Sequence, residues 1–466
     1  MNRRWLPPLI VAPLIVGVWV FGVSLPASAH GTGSRTDLPL PAWQMAWAAA
    51  FSVIVSFVAL GTFWDKPRLV ASATGRRLVS LASSPAKTLE VVCKVVGVAL
   101  FAVVIFAAWW GKPGTATNIA PTAFLIWFWV GLQLVSVLVG DVYRAFNPHT
   151  TIADTAASLK ARIRRTPPSS AGDDNRDGTG GWAAVAMVAA YLWYELAYHS
   201  TDSPRSVAVF LTAYSAVMLG GAALYGRDWI RTADGFAVLF TKISLIAPLY
   251  RDLSQNLRLR TPLAGLTTLR GGVYTVAFIL TVLGSTTFDG FTRSSIWLDL
   301  AGDLTGWEAT FVNTLGLGAI VVIVALLYAL AVKAMAVVTG DSTRELAIEF
   351  APTLVPIVVA YAVAHYFSAL LLDGQLLINL LSDPFGHGWD LFGTRDYAIN
   401  WTLVSPSEIA WVQAGSIAVG HVLAVAAAHD RAIDRYPRET ALRSQYPMLA
   451  VMVAYTVIGL LLLLGT

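Results

Sequence analysis

Stretches of about 20 predominantly apolar residues recur along this chain from Ala42 almost to its carboxyl end. A helix rises about 1.5 Å per residue, so each run matches the roughly 30 Å hydrocarbon core of a bilayer. Hydrocarbon offers backbone amides no water, so each run reads as a helix. The expected fold class is therefore all-α, a polytopic transmembrane helical bundle. Composition agrees: 56% of the 466 residues are hydrophobic and 13% are charged, against about 25% charged in soluble domains. The net charge of +4 is no sign of nucleic acid, because basic residues in such a chain record topology. The single cysteine, Cys93, excludes an internal disulfide, a CxxC zinc site and a CxxCH haem attachment.

Residues 1–29 read as a signal peptide: Arg3 and Arg4, an apolar core from Leu9 to Val23, the breaker Pro26, then Ala27-Ser28-Ala29 as a small-residue cleavage site. Cleavage would make His30 the first residue of a single transmembrane domain, 30–466. About ten spans follow: Ala42–Trp64, Leu89–Trp110, Ala120–Gly140, Trp182–Tyr198, Val207–Tyr225, Gly272–Phe288, Phe311–Val338, Ile348–Leu372, Ser407–Ala428 and Tyr446–Leu464. Alternate loops carry the arginines, for example Arg162, Arg164 and Arg165, then Arg227, Arg231, Arg251, Arg258, Arg260 and Arg270. The loops between them are short or acidic. The positive-inside rule then puts both mature termini outside a bacterial cytoplasmic membrane. Segment 166–181 is rich in Pro, Gly and Asp and reads as a flexible cytoplasmic loop. Segment 227–260 mixes apolar residues with spaced Arg and Lys and reads as cytoplasmic amphipathic helix.

Ionisable residues within spans are costly and point to function by default. Glu195 and His199, four apart at the outer end of the fourth span, share a helix face and suit a metal or an oriented imidazole. The competing expectation is a polar pair among interfacial Trp and Tyr. His365 lies deep in the eighth span, beyond Pro352 and Pro356, which should bend that helix or open a gap in its hydrogen bonds. Asp289 ends the sixth span and can approach His365 and Glu195 if those helices are neighbours. The loop Ser382–Gly393, SDPFGHGWDLFG, combines Asp383, His387 and Asp390 with Phe385, Trp389 and Phe392, as a lid or a ligand loop would. His421 and Asp141 lie toward the inner side and suit an ion path. Asp430 beside Arg431, and Asp141 near Arg144, read as structural ion pairs. An amino-terminal His30 offers an amine and a ring nitrogen, which together with a second histidine (His199, His365 or His387) suits copper.

The leader AHGTGSRTDLPLPAW and the blocks LYGRDWIRTADGFAVLF, GSTTFDGF, AHYFSALL, LSDPFGHGWDLFG and GHVLAVAAAHDRA together resemble the bacterial polytopic membrane proteins called fenitrothion hydrolases. The resemblance runs over most of the mature chain and departs around residues 169–180. It implies hydrolysis of an organophosphorus triester. In such chemistry a divalent transition metal, copper or zinc, would activate water. His30, His199, His365 and His387 would be its ligands, Asp289 and Glu195 the catalytic carboxylates, and Tyr366, Phe385 and Trp389 an aryl pocket. Neither a GxSxG elbow nor an HExxH motif is present. Two alternatives stay open: a transporter of a metal ion, a proton or a small solute, and a copper-handling subunit that uses His30 with a second membrane or secreted partner.

Overall fold

The computed structural model describes residues 39–81, 84–164, 179–226 and 228–464. The expected signal peptide, His30 and most of segment 166–181 lie outside the described residues. The chain is an all-α polytopic bundle. Among the described residues nine helices are long and apolar enough to cross a membrane, and a tenth of 18 residues, Thr179–Leu196, occupies the place of the expected fourth span. In chain order they are α1 (Ala42–Phe63), α2 (Ala86–Trp110), α3 (Ile119–Val139), α4 (Thr179–Leu196), α5 (Pro204–Tyr225), α6 (Val273–Phe291), α7 (Gly306–Thr339), α8 (Thr343–Leu371), α9 (Pro406–Arg435) and α10 (Arg438–Leu464). Their ends carry recognisable signals. Ser203 and Ser405 cap α5 and α9 with Pro at the first helical position, and Ser405 closes a capping box with Glu408.

The bundle is organised around α8. In its most apolar stretch 72% of residues are buried inside the protein, against 17% in α2, which faces outward. Helix α8 packs on α9, α9 on α1 and α10, and α6 on α4 and α7. Hydrocarbon gives helices little hydrophobic reason to associate, so close backbone approach matters more. Gly420 supplies it between α9 and α8, where an added Cβ would lie 2.1 Å from the Ala360 Cβ. Gly284 supplies it between α6 and α7, where an added Cβ would lie 2.7 Å from the Val321 Cα. Pro352 and Pro356 do alter α8: the chain tightens into a 3₁₀ turn at Ala351–Leu354 before the α-helix resumes at Val355. Helix α3 departs in the other direction. Thr122–Gly131 is wound as a π-helix, and the Leu132 amide bonds the Trp127 carbonyl five residues back.

Segment 227–260 is more varied than a pair of amphipathic surface helices. It contains short helices Asp228–Ala233 and Gly235–Ser244, then strands β2 (Leu249–Arg251) and β3 (Asn256–Leu259). The second helix is sunk into the protein, with Phe236, Leu239, Phe240 and Ile243 buried, because its residues GFAVLFTKIS are apolar on most sides. Its N-cap, Asp234, is fully buried and accepts from Tyr214, Asn147 and the amides of Phe236 and Ala237. Strand β1 (Arg76–Ser80), from the linker between α1 and α2, pairs antiparallel with β3, giving the order β1-β3-β2.

Candidate functional site

Four helices bring ionisable and hydroxyl side chains together: the C-terminal ends of α4 and α6, the middle of α3 and the second half of α8. They enclose a narrow chamber lined by Glu195, Asp289, Tyr361, Tyr366, Trp129 and Gln133, with Ser285, Thr286 and an apolar wall that includes Leu192 and Val358. The gaps between these atoms total about 340 Å³, but only about 20 Å³ can take the centre of a water molecule. That is room for one water-sized occupant.

At the inner wall, Tyr366 donates its hydroxyl hydrogen to Glu195 Oε1 at 2.5 Å. The other carboxyl oxygen, Oε2, is buried with no protein partner. The Trp129 indole N–H lies close to this carboxylate but outside hydrogen-bond geometry, and it too is unpartnered. Gln133 turns its amide back to the Trp129 carbonyl, 2.8 Å away. A carboxylate without a cation in so apolar a place is tolerable when it carries a proton or when a positive species joins it.

At the mouth the arrangement differs. His365 Nε2 lies 2.9 Å from Asp289 Oδ2 and 3.2 Å from Arg293 Nη2. Tyr361 donates to Asp289 Oδ2 at 3.1 Å and sits 3.3 Å from His365 Nδ1, its ring stacked on the imidazole. One ring nitrogen cannot serve both neighbours at once. With a hydrogen on Nε2 the imidazole donates to Asp289 and meets the guanidinium donor to donor; without it Nε2 accepts from Arg293 and the Asp289 contact loses its proton. Two proton placements therefore compete over a few ångströms. Burial is graded inward: Arg293 is exposed, the side chains of Asp289 and His365 are 14% and 6% exposed, and Glu195 lies behind them.

Of the residues singled out in the sequence, Glu195, Asp289, His365 and Tyr366 meet here. Tyr361, Arg293, Trp129 and Gln133 complete the site and were not singled out. Tyr361 was within reach, one turn before His365. His199 does not join. Helix α4 ends at Leu196, so the fourth-residue spacing no longer holds a shared face, and the His199 Nδ1 lies 2.9 Å from the Thr310 hydroxyl between Tyr198 and Trp307. His387 lies in the Ser382–Gly393 loop, stacked on Phe385 and edge-on to Trp389. There Asp383 accepts the amides of His387 and Gly388, while Asp390 accepts that of Arg395. The loop's acids are consumed by its own turns, and Phe385 and Trp389 stack with His387 rather than beside Tyr366. Of the expected copper or zinc ligands, His30 lies outside the described residues, and His199, His365 and His387 each have separate partners. Among the described residues no three His, Cys, Asp or Glu side chains converge as a metal site.

His421 and Asp141, expected on an inner ion path, have separate local partners. His421 is buried in α9, with Nδ1 turned to the Ile417 carbonyl at 2.9 Å and Nε2 without a partner. Asp141 accepts from the Thr241 hydroxyl and the Arg144 amide, a turn cap rather than a salt bridge, and burial pushes its carboxyl above the usual range. Asp430 is not an ion-pair partner of Arg431. It accepts from the Trp64 indole at 2.9 Å and from the first amides of the short helix Arg68–Ser72: Arg68 at 2.6 Å, then Leu69 and Val70. His429, next to it, reaches the Trp64 carbonyl at 3.0 Å. The motif AHD thus fastens a helix start.

Compared with family models, with curated proteins and with solved structures, the chain matches none.

Proposed function

We propose that this chain is a proton-handling membrane transporter, in which Asp289, His365 and Glu195 load and release a proton in the course of moving a small solute or ion. The observation that carries the reading is His365 Nε2, held between the acceptor Asp289 and the donor Arg293 at the mouth of a chamber that ends on Glu195. Chains of Asp, Glu and His inside a bundle are the usual form of a proton relay. Tyr361 bridges the two members of the mouth pair, and the chamber is large enough for one relaying water between Asp289 and Glu195. Beside Glu195, Trp129 packs on Tyr191, which in turn meets Phe124 and Phe236. The arginine-bearing loops belong to the end away from the chamber, so in a bacterial cytoplasmic membrane the mouth faces outward.

The hydrolase reading implied by the resemblance has less support. An aryl phosphotriester needs far more than a chamber for one water, and of the aromatic residues expected to hold it only Tyr366 lines the chamber, while Phe385 and Trp389 lie in a separate loop.

The test is infrared difference spectroscopy of the purified protein across a pH titration. A protonated-carboxyl band should titrate and vanish in Glu195→Gln, and a second feature should move in His365→Gln. In liposomes, Asp289→Asn should lower proton uptake at least tenfold, a loss of about 1.4 kcal/mol. A carboxyl region that is silent at every pH would overturn the proposal. Turnover of an aryl phosphotriester by the wild type, lost in Asp289→Asn, would replace it with the hydrolase.

A further inference from the structure

A second and larger pocket lies at the opposite end of the fold, on the buried helix Gly235–Ser244. About 390 Å³ of it is open to water, enough for a small anionic group with part of its carrier. Its polar lining is Arg231, Lys242, Arg270, Thr241 and Thr268, and its apolar lining is Val238, Leu245 and Leu269. Three cations and no carboxylate line it. Lys242 is the telling residue. It is 8% exposed, and its ammonium has no hydrogen bond or ion pair among the described residues; it lies 5.6 Å from the ring centre of Phe278. The stem is buried but the ammonium reaches the water of the pocket without a counter-charge, so an anion entering there meets an unopposed cation. The local acids are otherwise engaged: Asp228 faces Arg231 at 3.6 Å on the exposed side, and Asp141 is held by Thr241 and the Arg144 amide. Arg270 is exposed at the rim with no acidic partner among the described residues.

We propose that this pocket binds a phosphoryl group, with Lys242 contacting it at the inner wall and Arg231 and Arg270 closing over it. The group can come from an anionic phospholipid headgroup or from free phosphate. Basic pockets between helices on the arginine-rich side of a membrane protein suit anionic headgroups, and Val238, Leu245 and Leu269 offer a wall for glycerol and the first acyl carbons. The site is separate from the Glu195 chamber and does not depend on what that chamber does.

The experiment is thermal unfolding of the full-length protein in detergent with added phosphatidylglycerol, phosphatidylcholine or inorganic phosphate. Phosphatidylglycerol should raise the midpoint and phosphatidylcholine should not, and Lys242→Met with Arg270→Gln should abolish the difference. A rise with inorganic phosphate as well would assign the same site to a soluble phosphate. If the double variant fails to fold, Arg270→Gln alone, at the exposed rim, should still reduce the rise. An equal rise in wild type and variants would overturn the proposal.

Discussion

Two buried carboxylates, Asp430 and Glu195, sit at opposite ends of the same bundle and are treated in opposite ways. Asp430 is fully enclosed and fully served: an indole N–H and the amides of a helix's first turn converge on both its oxygens. The positive end of a helix dipole and several donors together stabilise the charge, so it stays fixed. Glu195 has one phenol on one oxygen and nothing on the other. Folding alone gives no reason to keep an acid there. Acids that hold a structure have their valences filled, whereas an acid left half-filled is available to a proton.

The largest effect that could break this contrast comes from Asp430→Ala. It strands the amides of Arg68, Leu69 and Val70 and the Trp64 indole, and should cost about 3 kcal/mol or more, read as a lower unfolding midpoint and a lower yield. Glu195→Gln should change stability by no more than about 0.5 kcal/mol while removing the titrating carboxyl signal. If Glu195→Gln is as costly as Asp430→Ala, the two ends do not differ in kind. Gly420→Ala tests the seam that carries α8 and His365. The new Cβ meets Ala360, and a loss of about 1–3 kcal/mol is expected, with proton uptake reduced in proportion to the displacement of α8. Arg435→Met comes next. Its guanidinium joins Asp341, Glu345 and Glu349, but it is partly open to solvent, so about 1 kcal/mol is expected, shrinking in high salt. The smallest effect belongs to Asp252 in the turn between β2 and β3. The Asn256 amide, with help from Arg258, lowers its pKa to about 2. Its contribution is therefore present above the ordinary carboxylate value and lost as pH falls through about 2. The difference in unfolding midpoint between wild type and Asp252→Asn should fade over that acid range and stay constant at neutral pH.

The spans were legible because bilayer thickness sets a length that composition must satisfy, and every expected run has its helix. The convergence of Glu195, Asp289 and His365 was only conditionally legible. Each residue stood out as an ionisable group in an apolar run, but whether they meet depends on the packing order of α3, α4, α6 and α8, which apolar surfaces specify weakly. Short-range spacing misled at His199, where the helix ends three residues too early. The Ser382–Gly393 loop misled for another reason. Asp and Gly serve turns as readily as ligands, and the backbone of Gly386, Gly388 and Gly393, all at positive φ, uses them for turns. Asp234 could have been found: an Asp-Gly step before the apolar run FAVLF is a helix-start signal.

The small sheet has a mechanical consequence. Strand β1 comes from the linker after α1, and β2 and β3 come from the linker before α6, so backbone hydrogen bonds tie segments some 180 residues apart at one end of the bundle. The Asp430-fastened helix Arg68–Ser72 lies four residues before that knot. Helices clasped at one end cannot slide along one another there; they can only splay, like the arms of tongs, with the largest travel at the far tips. The far tip of α6 carries Asp289, with Arg293 just beyond it and His365 of α8 against both. A small angular change at the knot is thus delivered where the competing proton contacts are a few tenths of an ångström apart in length.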